Sequence, residues 1–196
     1  MNLSHLIFSL LFLLAPARPQ ETYQVDTEAS TVRWVGKKIL GEHYGTLQLH
    51  EGMVMLEEGK LQGGNFTIDM RTLVNQDLEG GQREKLEDWL RSKEMFYVER
   101  YPFVVFEITS VQSLDENQQY QLEGELIIKG VSHRISFPAN VRKEGKTFMA
   151  EAELIFDRTR WNLNYGSGGV IGGLGNFAIE DEVSVQISLQ ANAAIQ

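Results

Sequence analysis

From residue 22 onward, apolar and polar side chains alternate one for one, the period of a β-strand with one buried face. Phe148, Ala150, Ala152, Leu154 and Phe156 share one face, against Met149, Glu151, Glu153 and Ile155 on the other. Val183, Val185, Ile187 and Leu189 repeat the pattern against Ser184, Gln186 and Ser188. The same parity groups Val32 with Trp34, Phe66 with Ile68 and Met70, and Val104 with Phe106 and Ile108. It also groups Leu122 with Gly124, Leu126 and Ile128, and Ile135 with Phe137, Ala139 and Val141. Lys129-Gly130-Val131-Ser132 reads as the tight connection between these last two runs. A further strand or pair of strands is expected over Tyr44 to Leu56, interrupted near Glu51-Gly52.

About eight strands joined mostly by short turns predict an all-β fold, an antiparallel meander closed into an eight-stranded barrel, because closure removes the exposed edges that invite aggregation. A barrel of that size is either filled by side chains or holds one small ligand, and strand counting leaves both open. The small residues Gly124, Ala150 and Ala152 on the inward face hint at space. One segment breaks the period: in Gly81 to Ser92, Leu86, Trp89 and Leu90 stand at i, i+3 and i+4, which predicts one short amphipathic helix. With Met95, Phe96 and Tyr97 after it, the helix either closes one mouth of the barrel or packs on the outside wall. The glycine-rich stretch Gly166 to Gly175 lies between two strand patterns and reads as a flexible loop. Nothing resembles an internal repeat or a linker, so residues 22–191 are expected to form one domain.

Ahead of that domain, the apolar run Leu6 to Leu14 is followed by Ala15-Pro16-Ala17, which fits a signal peptide over residues 1–17. The run is too short for a transmembrane helix of about 20 residues. A periplasmic or secreted protein without stable membrane insertion is expected, monomeric or homodimeric. The net charge of −9 argues against nucleic acid, whose recognition needs clustered Lys and Arg, and against docking on anionic head groups. With no cysteine, the chain has no disulfide and no thiolate nucleophile, so the core alone must hold it.

Motifs for chemistry are weak. His43 and His50 are seven apart, on opposite faces of an uninterrupted strand; His133 lies in a turn, and no metal site is expected. Gly173 to Ala178 fits a G-x-G-x-x-A spacing, but a strand pattern follows where a dinucleotide site needs a helix. Asn65-Phe66-Thr67 matches a glycosylation sequon on a predicted strand. Glu180-Asp181-Glu182 alternate faces and read as solvated, and Gly-x-Ser-x-Gly is absent. No catalytic residue, cofactor or enzymatic activity is expected.

The order of motifs is more specific. Val25-Asp26 and Ser30-x-Val32-x-Trp34 open the domain, followed by Gly63-Gly64-x-Phe66-x-Ile68-Asp69-Met70. Leu90-x-Ser92, Met95-Phe96-x-Val98-x-x-Tyr101-Pro102 and Phe106 come next, then Gly124-x-Leu126-x-Ile128-Lys129-Gly130-Val131 and Phe137. Asp157-Arg158-x-x-Trp161 and Ile179-x-Asp181-x-Val183 complete the series. Over the stretch from about Tyr23 to Ala191 the chain resembles the YceI family. The resemblance implies a lipocalin-like antiparallel barrel, generally exported in bacteria, whose characterised members hold a long polyisoprenoid chain. Departures from the family pattern fall at Glu94-Met95-Phe96 and Leu174-Gly175-Asn176-Phe177, positions suited to shaping a barrel mouth.

The expected partner is an isoprenoid lipid or quinone-like small molecule. Strand parity and the helix make Val32, Trp34, Phe66, Ile68, Met70, Trp89, Phe96, Phe106, Leu126, Ile128, Phe137, Phe156 and Val185 its apolar lining. Arg158 and Arg160 offer a cation to a head group, or else close a strand end as a structural Asp–Arg pair. Two other functions stay open: a partner-binding β-domain with a filled core, and an enzyme acting on a lipid.

Overall fold

A computed structural model describes residues 20–38, 40–114, 118–167 and 179–194. The expected signal peptide, the G-x-G-x-x-A stretch and most of the glycine-rich loop lie outside them. Nine strands run in chain order: β1 Gln20–Val25, β2 Thr31–Lys38, β3 Glu42–Glu57, β4 Lys60–Asn75, β5 Phe103–Ser113, β6 Gln119–Ile128, β7 Val131–Glu144, β8 Thr147–Asp157 and β9 Ile179–Ala193. Helix α1, Gly80–Arg91, separates β4 from β5, and a single 3-10 turn, Arg158–Trp161, follows β8.

Each strand from β2 to β9 pairs antiparallel with the next, and β9 pairs back to β2, which closes the barrel with eight positions in its wall. The ninth strand adds no position. β1 continues the line of β2 along the same two neighbours, since Tyr23 pairs with Val54 of β3 and with Ala193 of β9. The interruption at residues 26–30 is held by hydrogen bonds: Asp26 Oδ1 accepts from the backbone N–H of Glu28 and Ala29. Ser30 Oγ donates to the Asp26 carbonyl and accepts from the N–H of Gln190.

The hairpins are tight where the backbone permits. Glu58 and Gly59 both have positive φ, 51° and 76°, as do Lys129 and Gly130 at 51° and 75°, the paired left-handed geometry whose twist matches that of flanking strands. The second turn is therefore two residues long, and Val131 and Ser132 already pair within β7, shortening the connection read from sequence.

Tyr44 to Leu56 is one strand and not a pair. The extra residue between Leu49 and Glu51 makes a bulge, which bends the strand without ending it. At the other bent region, β7 and β8 pair only between residues 139–144 and 147–152, so they splay toward the end of the barrel that carries α1. Trp161 fills the splay: it is fully buried, donates from Nε1 to the Leu126 carbonyl, and meets Phe156 and His133 edge-on. Burying an aromatic ring of this size contributes on the order of 1.5–3 kcal/mol, which suits a plug at a point where backbone pairing is missing.

Candidate functional site

The inward faces of the strands do not meet. They surround a cavity of about 760 Å³, within the range of pockets that hold small apolar ligands. Val32 and Trp34 of β2, Phe66, Ile68 and Met70 of β4, and Phe106 of β5 line it. Leu126 and Ile128 of β6, Phe137 of β7, Phe156 of β8 and Val185 of β9 continue the wall. Trp89 and Phe96 face it from the α1 region, together with Leu86 and Leu90, so the apolar face of the helix sits over a mouth and not against the outside wall. The thirteen residues named as the apolar lining thus stand on the cavity, whereas Gly124 and Ile135, grouped with them by strand parity, do not.

The wall stays clear of the axis because three aromatic rings lie over glycines of neighbouring strands. A Cβ at Gly45 would meet the Trp34 ring at 2.8 Å, one at Gly52 the Phe66 ring at 2.9 Å, and one at Gly124 the Phe106 ring at 2.5 Å. Gly124 therefore leaves no open space of its own: Phe106 occupies it. Ala150 and Ala152 do line the cavity.

The walls are almost wholly aliphatic and aromatic, which favours an occupant that is itself apolar.

The two arginines take other places. Arg158 is 2% exposed, and its Nε donates to the Glu180 carbonyl, Nη1 to the Leu163 carbonyl, and Nη2 to the Ile179 carbonyl and Asp181 Oδ1. Burial lowers its pKa, against the pull of Asp181 and Asp157. It touches the cavity, yet its nitrogens are committed to tying the 3-10 turn to β9. Its ion-pair partner is Asp181 and not the adjacent Asp157, which instead accepts from the N–H and hydroxyl of Thr159. Arg160 stands outside the cavity lining; its guanidinium lies 5.2 Å from the Trp161 ring and donates to the Arg134 carbonyl.

A family model, the YceI-like domain, matches residues 23–191. The chain belongs to the YceI family. Over 103 residues it is 28% identical to UPF0312 protein plu2095 of Photorhabdus laumondii subsp. laumondii, a match covering 53% of this chain and 50% of that protein. It therefore spans about half the length of that curated relative. In fold, this YceI-like barrel is similar to BcnA of Burkholderia cenocepacia, with TM-score 0.70 and 24% identity over 86% of this chain and 99% of that one. It is also similar to a polyisoprenoid binding domain from Saccharophagus degradans, with TM-score 0.64 and 16% identity over 88% and 98% of the two chains.

Sequence reasoning missed the polar residues of the YceI-like cavity. Lys38 and His43 line it near the mouth, where Lys38 Nζ lies 3.1 Å from His43 Nε2 and His43 Nδ1 lies 2.7 Å from Asp77 Oδ2. An ammonium can only donate, so Nε2 accepts and Nδ1–H donates to the carboxylate. Asp77 also accepts from the Tyr44 N–H and from Asn75 Nδ2. Burial raises its pKa, but the hydrogen bonds from His43, Tyr44 and Asn75 outweigh that and hold it below the usual range. The signal was present: the parity of Val32, Trp34 and Gly36 carries Lys38 inward. Trp34 itself contributes more than surface, because its Nε1–H is the one buried side-chain polar atom among the described residues without a hydrogen-bond partner. An unmet buried donor costs roughly 1–3 kcal/mol, so it asks for an acceptor from outside the protein.

Proposed function

We propose that this protein is an exported carrier that sequesters a polyisoprenoid-type lipid inside its barrel without transforming it. The observation that carries the proposal is the apolar cavity of about 760 Å³, walled by aliphatic and aromatic side chains from all around the barrel. Each methylene moved from water into such a space contributes about 0.8 kcal/mol, so a long prenyl chain gains affinity along its whole length. The Saccharophagus degradans relative is a polyisoprenoid binding domain of the same fold, which supports this ligand class. The lining residues named from parity are the proposed ligand contacts; Arg158 serves as a structural tie, and Arg160 as a surface group. Export rests on the apolar run Leu6 to Leu14 and its Ala15-Pro16-Ala17 end. Among the described residues no helix is long and apolar enough to cross a membrane.

Native mass spectrometry of the protein purified from the periplasm of its producing cells tests the reading. A stoichiometric adduct that organic extraction identifies as a prenyl lipid is expected. A bare protein that also refuses added polyprenols and polyprenyl quinones would show that the cavity serves something else.

A further inference from the structure

We infer that the mouth end of the barrel docks reversibly on the surface of a lipid bilayer with zwitterionic head groups, Leu40 and Tyr165 entering the boundary between head groups and hydrocarbon. The inference rests on the carrier reading for its use, a route between bilayer and lumen, and adds the surface from which cargo is exchanged.

Antiparallel closure gathers the β2–β3 turn, the segment from β4 through α1 to β5, the β6–β7 turn and the connection from β8 to β9 at one end of the barrel. The β3–β4, β5–β6 and β7–β8 turns stand at the other. Exposed apolar side chains follow this division. Of the five large ones among the described residues, Leu40 and Tyr165 stand at the mouth, and Val74 and Ile155 lie one and two residues from the mouth ends of β4 and β8; only Leu114 is at the far end. The tyrosines divide in the same way. Tyr97 and Tyr101, between α1 and β5, are half-buried and Tyr165 is exposed, whereas Tyr23 and Tyr120, toward the far end, are buried. A partly exposed tyrosine, apolar in its ring and polar at its tip, suits the boundary between hydrocarbon and water.

Leu40 is the sharpest case. It sits at the tip of the β2–β3 hairpin, where the Lys38 N–H donates to the Gly41 carbonyl and Gly41 has φ 97°. Hairpin tips favour Gly, Asn and Asp, yet here a leucine is 65% exposed. Leu40 and Tyr165, the latter 54% exposed, also line the cavity, so the apolar surface runs from the lumen out onto the rim. A bilayer seated on that rim keeps a prenyl chain out of water along its whole transfer, which the polar face of a partner protein does not.

Charge selects the kind of bilayer. Around the mouth, exposed cations stand beside exposed acids: Lys37 lies across the ladder from Glu42, Lys93 next to Glu94, and Arg100 next to Glu99. A rim of both signs, on a chain of net charge −9, gains nothing from a surplus of anionic lipid and complements head groups that themselves carry both signs.

Flotation with phosphatidylcholine vesicles that contain no prenyl lipid tests the docking. The delipidated wild type should float with the vesicles, and to the same extent at low and high salt. Leu40→Asp should weaken the partition coefficient by about tenfold, the worth of withdrawing most of one leucine from the apolar phase, while Leu114→Asp, at the far end, leaves it unchanged. Absence of the wild type from the vesicle fraction, equal loss in both variants, no loss in Leu40→Asp, or binding that requires phosphatidylglycerol and disappears in high salt would overturn the docking. A wild type that stays off the vesicles but forms dimers dissolved by Leu40→Asp in sedimentation equilibrium assigns the rim to a second copy instead. If circular dichroism shows that Leu40→Asp does not fold, Tyr165→Ser takes its place with the same expected loss. Uptake of a polyprenol added from ethanol, without vesicles, reads the carrier function separately: uptake without flotation sinks the docking alone, and flotation without uptake sinks the carrier reading and leaves the docking standing.

Discussion

Arg158 shows how a charged side chain is kept in a protein interior: each guanidinium nitrogen has an acceptor, and most of those acceptors are backbone carbonyls. Replacing it by Met leaves the Leu163, Ile179 and Glu180 carbonyls without their donor and should lower the unfolding free energy by about 3 kcal/mol, seen as a lower urea midpoint with unchanged slope. A methyl group at Gly124 would clash with both the Phe106 ring and the Glu107 carbonyl, 2.5 and 2.4 Å away, so Gly124→Ala should cost about 1–3 kcal/mol in the same assay. Asp77 carries a pH dependence. Its folded pKa lies below the ordinary value of 3.8, so its contribution to stability is complete above that value and is lost as pH falls through the folded pKa. Asp77→Asn should flatten the acid limb of a stability-versus-pH curve below about pH 4 and leave the neutral plateau lower. At this scale the inward apolar faces were legible, and the same parity carries Lys38 inward, but the role of Arg158 was not legible. Parity sorts apolar side chains because burial drives them, whereas the use of Arg158 depends on carbonyls far along the chain, which no local pattern announces.

Among the elements, the strands were read from alternation and α1 from the spacing of Leu86, Trp89 and Leu90, while the bulges escaped. At Glu51-Gly52 the polar pair suggested a break, because an extra residue in a strand upsets the alternation just as a turn does. Ladder partners on β4 are what distinguish the two, since Leu49 pairs with Ile68 and Glu51 with Thr67. The position of α1, over a mouth and not on the outside, was likewise undecided by its own amphipathic face, which suits either site. The helix is fastened to the end of β4: Glu87 accepts the Asn75 N–H, and Arg91 donates to the Leu73 carbonyl. Trp89 meets Tyr165 edge-on at 5.0 Å, spanning the mouth between the helix and the segment after the 3-10 turn. Removing that bridge with Trp89→Ala should speed release of a bound prenyl lipid by about tenfold with a much smaller change in its association rate, as followed by stopped-flow transfer to vesicles.

For the whole molecule, an apolar lumen able to take a ligand links stability to occupancy. A ligand present at a hundred times its dissociation constant stabilises the folded state by about 2.7 kcal/mol, which for a chain of this length raises the melting temperature by roughly 5–10 °C. Delipidated and reloaded protein should differ by that margin in calorimetry. Ala152→Trp, which places a large ring in the lumen, should abolish both the difference and lipid uptake while the circular dichroism of the barrel persists. The eight-position closure itself was legible from the number of alternating runs, and the split of one position into β1 and β2 was not, because the Asp26 to Ser30 turn is defined by what it bonds and not by a change in alternation.

The pairing of Tyr23 with Ala193 has a kinetic side. Hairpins such as β3–β4 and β6–β7 join neighbours in the chain and can form as soon as their turns do, on a scale of about 1–10 μs. The β1–β9 and β2–β9 seams bring together residues separated by most of the sequence, so their loop entropy is lost before any contact repays it. The meander from β3 to β8 can therefore assemble as an open sheet and roll shut only when β9 arrives, and until that moment its apolar lumen is a groove open to water. That is the stage at which a lipid could enter without passing the mouth at all, and at which an unfilled chain is most exposed to association with its own kind.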